Sequence, residues 1–195
     1  TNKSKRYTAT VYLGVTTTTE DATGDIIETK DVNVTEEEIT KVVTSFIGEY
    51  MQVPPMYSAL KINGKKLYEL ARQGLEVERK ARKVTIYDCT ITNYKLPHEF
   101  TIDVKCSKGT YIRTLCTDIG VALGCGAHMK DLVRTQVGDF DISNSITLSQ
   151  LEELKKDNNT NSYLLPIEQI FSDLPQIHVK ESANKYLYNG NQLKE

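Results

Sequence analysis

The chain has 195 residues, of which 24 are Lys or Arg and 26 are Asp or Glu, and its formal net charge is −2. A chain of this size can bury an ordinary core and hold one domain together with part of a second. The nearly balanced charge argues against a protein that coats nucleic acid over its whole surface.

The four cysteines, Cys89, Cys106, Cys116 and Cys125, lie far apart and form no Cys-x-x-Cys pair. Because no cysteine pair and no histidine has a spacing typical of a metal site, we expect reduced, mostly buried thiols and no metal. The sequence has no secretory signal and no apolar run of transmembrane length, so a cytoplasmic protein without a membrane contact is predicted.

Hydrophobic spacing predicts the first elements. Residues 8–15 alternate Val or Leu with small or polar side chains, which is typical of a half-buried strand, and the threonine-rich stretch ending at Gly24 is predicted to be a loop. Thr35 and Glu38 have the spacing of a capping box, so a helix is predicted over residues 36–48. Its buried face is predicted to carry Ile39, Val42, Val43, Phe46 and Ile47.

The middle of the chain begins with Val-Pro-Pro at residues 53–55, which stops the helical pattern because proline lacks an N–H donor and restricts the residue before it. Asn-Gly at residues 63–64 predicts a tight turn. Residues 67–73 predict a short helix closed by Gly74.

A hairpin of residues 84–93 and 99–106 is predicted to lead into an amphipathic helix that begins after Tyr111. The helix is predicted to bury Ile112, Leu115, Cys116, Ile119 and Leu123. Arg113 then lies in the first helical turn, where the helix dipole favours anions, so we expect it to have a fixed anionic partner.

Towards the end of the chain, Thr147 begins another predicted helix, which carries Leu148, Leu151 and Leu154. The polar stretch 155–162 follows it and is predicted to be a linker at a domain boundary.

Basic residues concentrate in one segment, residues 53–83, which holds eight basic and three acidic residues. Its net charge is therefore +5, and the rest of the chain carries −7, since the total is −2. A basic segment with aromatic residues on an otherwise acidic protein indicates contact with a defined polyanion, because phosphate neutralisation drives most nucleic-acid affinity. A solvated charged face is the alternative.

Six segments closely resemble, in the same order along the chain, the TruB family of pseudouridine synthases, enzymes that isomerise one uridine in the T arm of transfer RNA. They are residues 5–9, 16–24, 53–61, 67–74, 105–115 and 126–135. The resemblance implies an α+β pseudouridine synthase fold, with a mixed, largely antiparallel sheet and flanking helices. It further implies a catalytic domain over residues 1–154 with an RNA-gripping insertion at about 53–83 and, after the linker, the start of a small PUA-like RNA-binding domain at 163–195.

Three catalytic roles follow from the resemblance. Arg113 corresponds to the arginine that pairs with the nucleophilic aspartate, Asp21 to a loop aspartate that reaches this arginine, and Tyr7 to the tyrosine that stacks on the target base and is a candidate proton acceptor. The structural alternatives are a surface salt bridge for Arg113, a turn-forming role for Asp21 and plain packing for Tyr7.

The nucleophile itself is expected elsewhere. In the family it lies in a Gly-His-x-Gly-Thr-Leu-Asp-Pro motif, and this motif does not occur in the 195 residues. We therefore expect the chain to be a piece of the enzyme that is inactive by itself.

The resemblance also implies a set of substrate-binding residues. Tyr111 corresponds to a second pocket tyrosine, and Leu132, interpreted as a helical apolar residue, is either a wall of the pocket or ordinary core. His128 either contacts RNA or satisfies a backbone group. The basic residues expected to contact RNA are Lys61, Lys65, Lys66, Arg72, Arg82 and Lys108.

The predicted function is therefore isomerisation of uridine to pseudouridine in the T arm of tRNA, by a monomer that needs no cofactor and no obligate protein partner. One alternative is a non-catalytic RNA-binding module, since the chain keeps a basic segment and a pocket wall but not the nucleophile. The other is the related catalytic subunit of guide-RNA particles, against which the long basic insertion argues.

Overall fold

The computed structural model describes residues 4–62, 64–156, 160–171, 174–175 and 177–192, apart from the side chains of Ser162 and Ile170. The chain divides into two compact units, Thr1–Ser145 and Ile146–Glu195. The predicted boundary at 155–162 falls inside the second unit, and three of its residues, 157–159, lie outside the described ranges.

The described part of the first unit contains strands and three helices. The strands are β1 (Lys5–Leu13), β2 (Val15–Thr17), β3 (Ile26–Thr29), β4 (Gly48–Gln52), β5 (Lys61–Ile62), β6 (Lys65–Lys66), β7 (Arg82–Lys95), β8 (Glu99–Cys106), β9 (Ala127–Val137) and β10 (Phe140–Asp141). The helices are α1 (Glu36–Ser45), α2 (Leu67–Arg72) and α3 (Ile112–Ala122).

Six of these strands form the main sheet, in the order β10-β9-β1-β8-β7-β4. Every neighbouring pair in it is antiparallel. A parallel pairing occurs as an isolated bridge between Asp21 and Met129 at the side of the sheet. The α+β fold predicted from the sequence is confirmed.

The core lies between one face of this sheet and helices α1 and α3. Residues at every second position of β1, from Ala9 to Leu13, are completely buried, because strand side chains alternate between the two faces. The register places Ala9 opposite Ile102 and Val11 opposite Phe100, so the buried positions of β1 and β8 meet on the same face. The buried helix residues against them are Ile39, Val43, Ile112, Leu115, Cys116 and Ile119.

Helix α1 begins as its sequence predicts. Thr35 is the N-cap, its hydroxyl accepts a hydrogen bond from the Glu38 N–H, and the Glu38 carboxylate accepts one from the Thr35 N–H. This capping box satisfies donors that a helix start otherwise leaves free, and it lowers the pKa of Glu38. The predicted end was too late, because the helix stops at Ser45 and Ile47 is 43% exposed.

The prediction for Leu132 was wrong about the element that carries it. Leu132 lies on strand β9, not on a helix. The register with β1 shifts between Thr10, opposite Asp131, and Val11, opposite Met129. The resulting bulge breaks the alternation of buried and exposed residues that would have marked a strand in the sequence.

The basic segment 53–83 consists of the small β5–β6 hairpin, helix α2 and the approach to β7. The predicted short helix is confirmed, and Gly74 just after it has a φ of +70°, as a glycine that closes a helix should. Asn63 of the predicted turn lies outside the described residues.

The described part of the second unit contains α4 (Leu148–Lys156), α5 (Ile167–Ile170) and α6 (Asn184–Tyr188). The helix predicted after Thr147 is confirmed, and Thr147 and Gln150 form a second capping box. The interpretation of residues 163–195 as the start of an RNA-binding domain stays a prediction. No helix in the described ranges is long and apolar enough to cross a membrane.

Candidate active site

The threonine-rich loop between β2 and β3 holds the Asp21 carboxylate in a fixed orientation. Its Oδ1 atom accepts hydrogen bonds from the Thr19 hydroxyl at 2.7 Å, the Thr23 hydroxyl at 2.6 Å and the Thr23 N–H at 3.0 Å. Burial alone would raise the pKa of Asp21, but the bonds from Thr23, Thr19 and Arg113 outweigh it and hold the pKa below its ordinary value. Asp21 is therefore a fixed anion at neutral pH.

Arg113 points into the protein from the first turn of α3 and meets this loop. Its Nη1 donates to Asp21 Oδ2 at 2.9 Å and to the Thr19 carbonyl at 3.1 Å, and its Nη2 donates to the Tyr57 carbonyl at 2.7 Å. The side chains of Arg113 and Asp21 are 23% and 17% exposed. The anionic partner expected for Arg113 is thus present, and the alternative of a surface salt bridge does not describe a pair this buried.

The start of α3 is fixed by a glutamine from the sheet. Gln52, only 1% exposed, accepts from the Tyr111 N–H at 2.8 Å and donates to the Tyr111 carbonyl at 3.1 Å. Its amide also donates to the Tyr50 hydroxyl. Because Tyr111 is the N-cap residue of α3, these bonds set the position of the helical turn that carries Arg113.

A second acidic group, Glu20, lies close enough to Arg113 to interact with it electrostatically. The Glu20 carboxylate accepts a hydrogen bond from the Thr114 hydroxyl at 2.5 Å. Burial raises the pKa of Glu20, and the Thr114 bond and Arg113 only partly offset it. Burial and the nearby Glu20 also raise the pKa of Asp118 to about 6. Glu20 and Asp118, whose pKa values are raised, therefore lie near each other, and Glu20 also interacts with Asp21, which is held ionised.

Tyr7 and Leu132 occupy the sheet face that the helices cover. Tyr7 pairs with Arg134 across β9, and Ala9 pairs with Leu132 two residues further along. Directly opposed residues share a face, so the Tyr7 and Leu132 side chains are diagonal neighbours beside the core. Burial and the Cys106 thiol raise the pKa of Tyr7, whereas Arg134 opposes the rise.

The basic segment has its own aromatic centre. The Lys66 ammonium lies 5.3 Å and the Arg72 guanidinium 5.5 Å from the centre of the Tyr68 ring, and Lys66 also donates to the Tyr68 hydroxyl. Arg79 donates to the Pro54 carbonyl and pairs with Glu76, which ties the segment together. The basic residues of the segment that are exposed are Lys61, Lys65, Arg72, Lys80, Arg82 and Lys83.

His128 and Lys108 differ in their surroundings. His128 is buried, its ring lies 5.3 Å from that of Tyr12, and its Nδ1 donates to the Val15 carbonyl at 2.9 Å. This bond matches the structural alternative for His128, the satisfaction of a backbone group. Lys108 lies in the exposed turn between β8 and α3.

The structure thus brings Arg113, Asp21 and Tyr111 to one place at the start of α3. No hydrogen bond or ion pair joins Tyr7 to this group within the described part of the chain. Sequence reasoning missed the residues that support this group, which are Glu20, Gln52, Tyr57 and Thr114, and it missed Arg134 beside Tyr7. Their partners lie far away in sequence, and only Gln52 lies outside the six segments that resemble the family. The resemblance therefore marked the surroundings of the other four residues but gave them no role.

Comparison with known proteins identifies the family to which the chain is similar. Residues 1–112 match the family described as TruB family pseudouridylate synthase (N terminal domain), and residues 113–172 match tRNA pseudouridylate synthase B C-terminal domain. Proteins named tRNA pseudouridine synthase B from Alkaliphilus oremlandii and Oceanobacillus iheyensis are 48% and 47% identical over 97% and 99% of the chain. The chain spans only 62% and 65% of the length of these relatives.

Solved structures show the same fold. A chain of a Cbf5–Nop10–Gar1 complex superposes with a TM-score of 0.68 at 29% identity, covering 97% of this chain and 50% of its own length. A chain of an H/ACA RNP bound to a substrate RNA that contains 2′-deoxyuridine gives a TM-score of 0.63 at 27% identity, covering 97% of this chain and 48% of its own. The family match extends over more than half of the residues, and the chain therefore belongs to the TruB family of pseudouridylate synthases.

Proposed function

We propose that the complete gene product is a tRNA pseudouridine synthase that isomerises a uridine in the T arm, and that these 195 residues supply its arginine, its pocket walls and its RNA-gripping segment. The proposal rests on the hydrogen bonds of the Arg113 guanidinium group. This group is fixed by three hydrogen bonds, but they use only three of its five N–H groups. Its Nε–H and one Nη2–H have no acceptor among the described residues, which leaves a donor pair for a further carboxylate.

That carboxylate would be the nucleophile. Breaking the glycosidic bond and rejoining the base through carbon requires a nucleophile and removal of the C5 proton, on a base taken out of its stack. A guanidinium that donates two hydrogen bonds to an aspartate would keep it ionised and oriented. The family motif that carries this aspartate does not occur in the 195 residues, so we expect the isolated chain to be inactive.

Tyr7 and Leu132 would form the apolar side of the pocket, together with Tyr111. The raised pKa of Tyr7 favours a neutral phenol at neutral pH. This favours stacking on the base, worth about 1 to 3 kcal/mol, over proton removal. For Tyr7 to accept the C5 proton, Arg134 or the bound RNA would have to lower the Tyr7 pKa that burial raises.

The basic segment would hold the T stem-loop through its phosphates. Its exposed Lys and Arg side chains, with Arg72 and Lys66 already placed around Tyr68, present positive charge on folded backbone instead of a disordered tail. The names of two relatives, both tRNA pseudouridine synthase B, support tRNA as the substrate. We expect no cofactor, a monomer without an obligate protein partner, and a cytoplasmic location.

A second candidate function, for the chain by itself, is that of an RNA-binding module without catalysis. The absence of the Gly-His-x-Gly-Thr-Leu-Asp-Pro motif from the 195 residues favours this function. The guide-RNA type is the less favoured alternative for the complete protein. The chain is 47–48% identical to proteins named tRNA pseudouridine synthase B but only 27–29% identical to the chains of the Cbf5–Nop10–Gar1 complex and the H/ACA RNP.

The test is to incubate the complete gene product with an unmodified tRNA transcript and to map pseudouridine by carbodiimide labelling and reverse transcription. We expect one modified uridine in the T loop, formed also in a bare T stem-loop and without guide RNA. Modification elsewhere in the tRNA would contradict the proposed site, and a requirement for guide RNA would favour the alternative. Absence of any pseudouridine would contradict the enzyme assignment.

A further inference from the structure

Glu20 lies between the two loop residues that contact Arg113. Thr19 offers its carbonyl and Asp21 its carboxylate to the same Nη1 atom. The Glu20 side chain bonds instead to Thr114, the residue after Arg113 on helix α3. The threonine-rich loop and helix α3 are therefore joined by two neighbouring contacts, Asp21–Arg113 and Glu20–Thr114. The proposed chemistry explains only the first of them.

The backbone of Glu20 is in an unusual conformation. Its φ of +64° places it in the left-handed region, which residues with a β-carbon seldom adopt. Such a conformation persists only where surrounding contacts fix it, and it is found most often at functional sites. Here it lets neighbouring residues face Arg113 while the Glu20 side chain reaches the helix.

Backbone hydrogen bonds also attach the loop around Glu20 to strand β9 of the sheet. The Glu20 carbonyl accepts from the Met129 N–H at 3.0 Å, and the Ala22 N–H donates to the Met129 carbonyl at 3.0 Å. The loop is thus attached to β9 through its backbone and to α3 through the Glu20 side chain. Arg113 has four rotatable bonds, so its orientation depends on how firmly these attachments hold the oxygens that it contacts.

We propose that the Glu20–Thr114 hydrogen bond is a positioning contact that orients the Arg113 guanidinium towards an incoming carboxylate. It fixes the loop against the first turn of α3 and so sets the distance from Asp21 and Thr19 to Arg113. The inference rests on the proposed function and adds two positioning residues to it. Neither residue is proposed to touch the substrate.

The chain offers a matched set of variants for the test. Thr114→Val removes the hydroxyl with little change of shape, and Thr114→Ser keeps the hydroxyl. Thr117→Val makes the same change on the same helix, at a buried hydroxyl that has no hydrogen-bond partner among the residues that the structure describes. Glu20→Gly removes the carboxylate and also accepts the positive φ, so it tests the contact without backbone strain.

Each variant is made in the complete gene product and compared by steady-state kinetics on tRNA. For Thr114→Val and Glu20→Gly we expect kcat to fall about tenfold with KM within about twofold, because misplaced groups slow the chemical step more than binding. Thr114→Ser should restore most of kcat, and Thr117→Val should match the wild type. An unchanged kcat in Thr114→Val and Glu20→Gly, or an equal loss in Thr117→Val, would overturn the proposal.

A second readout does not depend on activity. In protein labelled with ¹⁵N-arginine and free of RNA, a restrained Arg113 guanidinium gives separate Nη–H signals, which should merge in Thr114→Val and persist in Thr114→Ser and Thr117→Val. Separate signals in all variants would overturn the positioning role even if the enzyme is active. Loss of the separate signals as expected, in a protein that makes no pseudouridine, would instead contradict the proposed function and leave the positioning contact standing.

Discussion

Arg113 combines two environments that rarely coincide for a cation. It stands in the first turn of α3, where the helix dipole is unfavourable to positive charge, and it is mostly buried. Asp21 and two backbone carbonyls compensate it. Because these bonds depend on the planar fork of donors, an ammonium group cannot reproduce them.

Arg113→Lys is therefore expected to lower kcat on the order of 100-fold while tRNA affinity changes little. Arg6→Lys is the control, because Arg6 also donates to two carboxylates, Asp103 and Asp88, but lies outside the site. The measurement is single-turnover kinetics together with filter binding of tRNA. If Arg113→Lys and Arg6→Lys reduce kcat equally, the special role of Arg113 is contradicted.

Asp118 provides a prediction about pH. Burial and the Glu20 carboxyl raise its pKa from 3.8 to about 6, so the folded protein holds this proton at pH values where the unfolded chain has lost it. The corresponding stabilisation is complete below about pH 4 and is lost as the pH rises through 6, by on the order of 2 kcal/mol once the partial exposure of Asp118 to solvent is allowed for.

Asp118→Asn cannot ionise, so its free energy of unfolding should exceed that of the wild type at about pH 7.5, and the difference should disappear near pH 4. Urea unfolding at the two pH values measures this, with Asp25→Asn as an exposed control. If Asp118→Asn raises the free energy of unfolding equally at both pH values, the ionisation of the buried Asp118 carboxyl is not the cause of the increase.

The elements differ in how far local sequence determines them. Helix α1 could be predicted because its capping box and its apolar spacing lie within about ten residues. Strand β9 could not, because its bulge exists only in relation to β1. The contact of Arg113 with Asp21 was expected from family resemblance, whereas the Glu20–Thr114 bond joins residues 94 positions apart and left no local pattern.

Gly120 controls how closely α3 approaches β9. A β-carbon at this position would lie 2.2 Å from the Ala127 nitrogen and 2.5 Å from the Gly126 carbonyl carbon, both of them backbone atoms. Gly120→Ala gains up to about 1 kcal/mol of helix propensity, but overpacking against backbone costs about 1 to 3 kcal/mol or more.

We therefore expect Gly120→Ala to lower the free energy of unfolding by about 2 kcal/mol. Val121→Ala, at a side chain that is 67% exposed on the same helix, should change it by less than about 0.5 kcal/mol. Denaturant unfolding of both variants and of the wild type measures these changes in the free energy of unfolding. An unchanged or increased stability of Gly120→Ala would show that the helix can move away from the strand without cost.

At the scale of the whole molecule, charge is divided between a basic segment and an acidic remainder. The segment 53–83 carries +5 on a chain of net −2, so affinity for RNA should come from this segment and should depend on salt.

The triple variant Lys61, Lys65 and Arg82 to Ala, in the complete protein, should lose more tRNA affinity at about 50 mM than at about 300 mM salt, because the lost phosphate contacts are screened at high salt. The triple variant Lys41, Lys155 and Lys156 to Ala removes the same charge at exposed positions outside the segment and should lose less. Fluorescence anisotropy with labelled tRNA measures both. Equal losses at both salt concentrations would count against phosphate contacts in the segment.

We infer that Arg113 binds the carboxylate of a catalytic aspartate that lies outside these 195 residues. The most direct measurement is tritium release from tRNA labelled at C5 of uridine, by the isolated chain and by the chain mixed with a separately produced polypeptide that carries the Gly-His-x-Gly-Thr-Leu-Asp-Pro motif. We predict no release by the chain alone, release by the mixture, and loss of that release when Arg113 is changed to Lys. Turnover by the chain alone, or undiminished turnover by the mixture with Arg113→Lys, would contradict the claim.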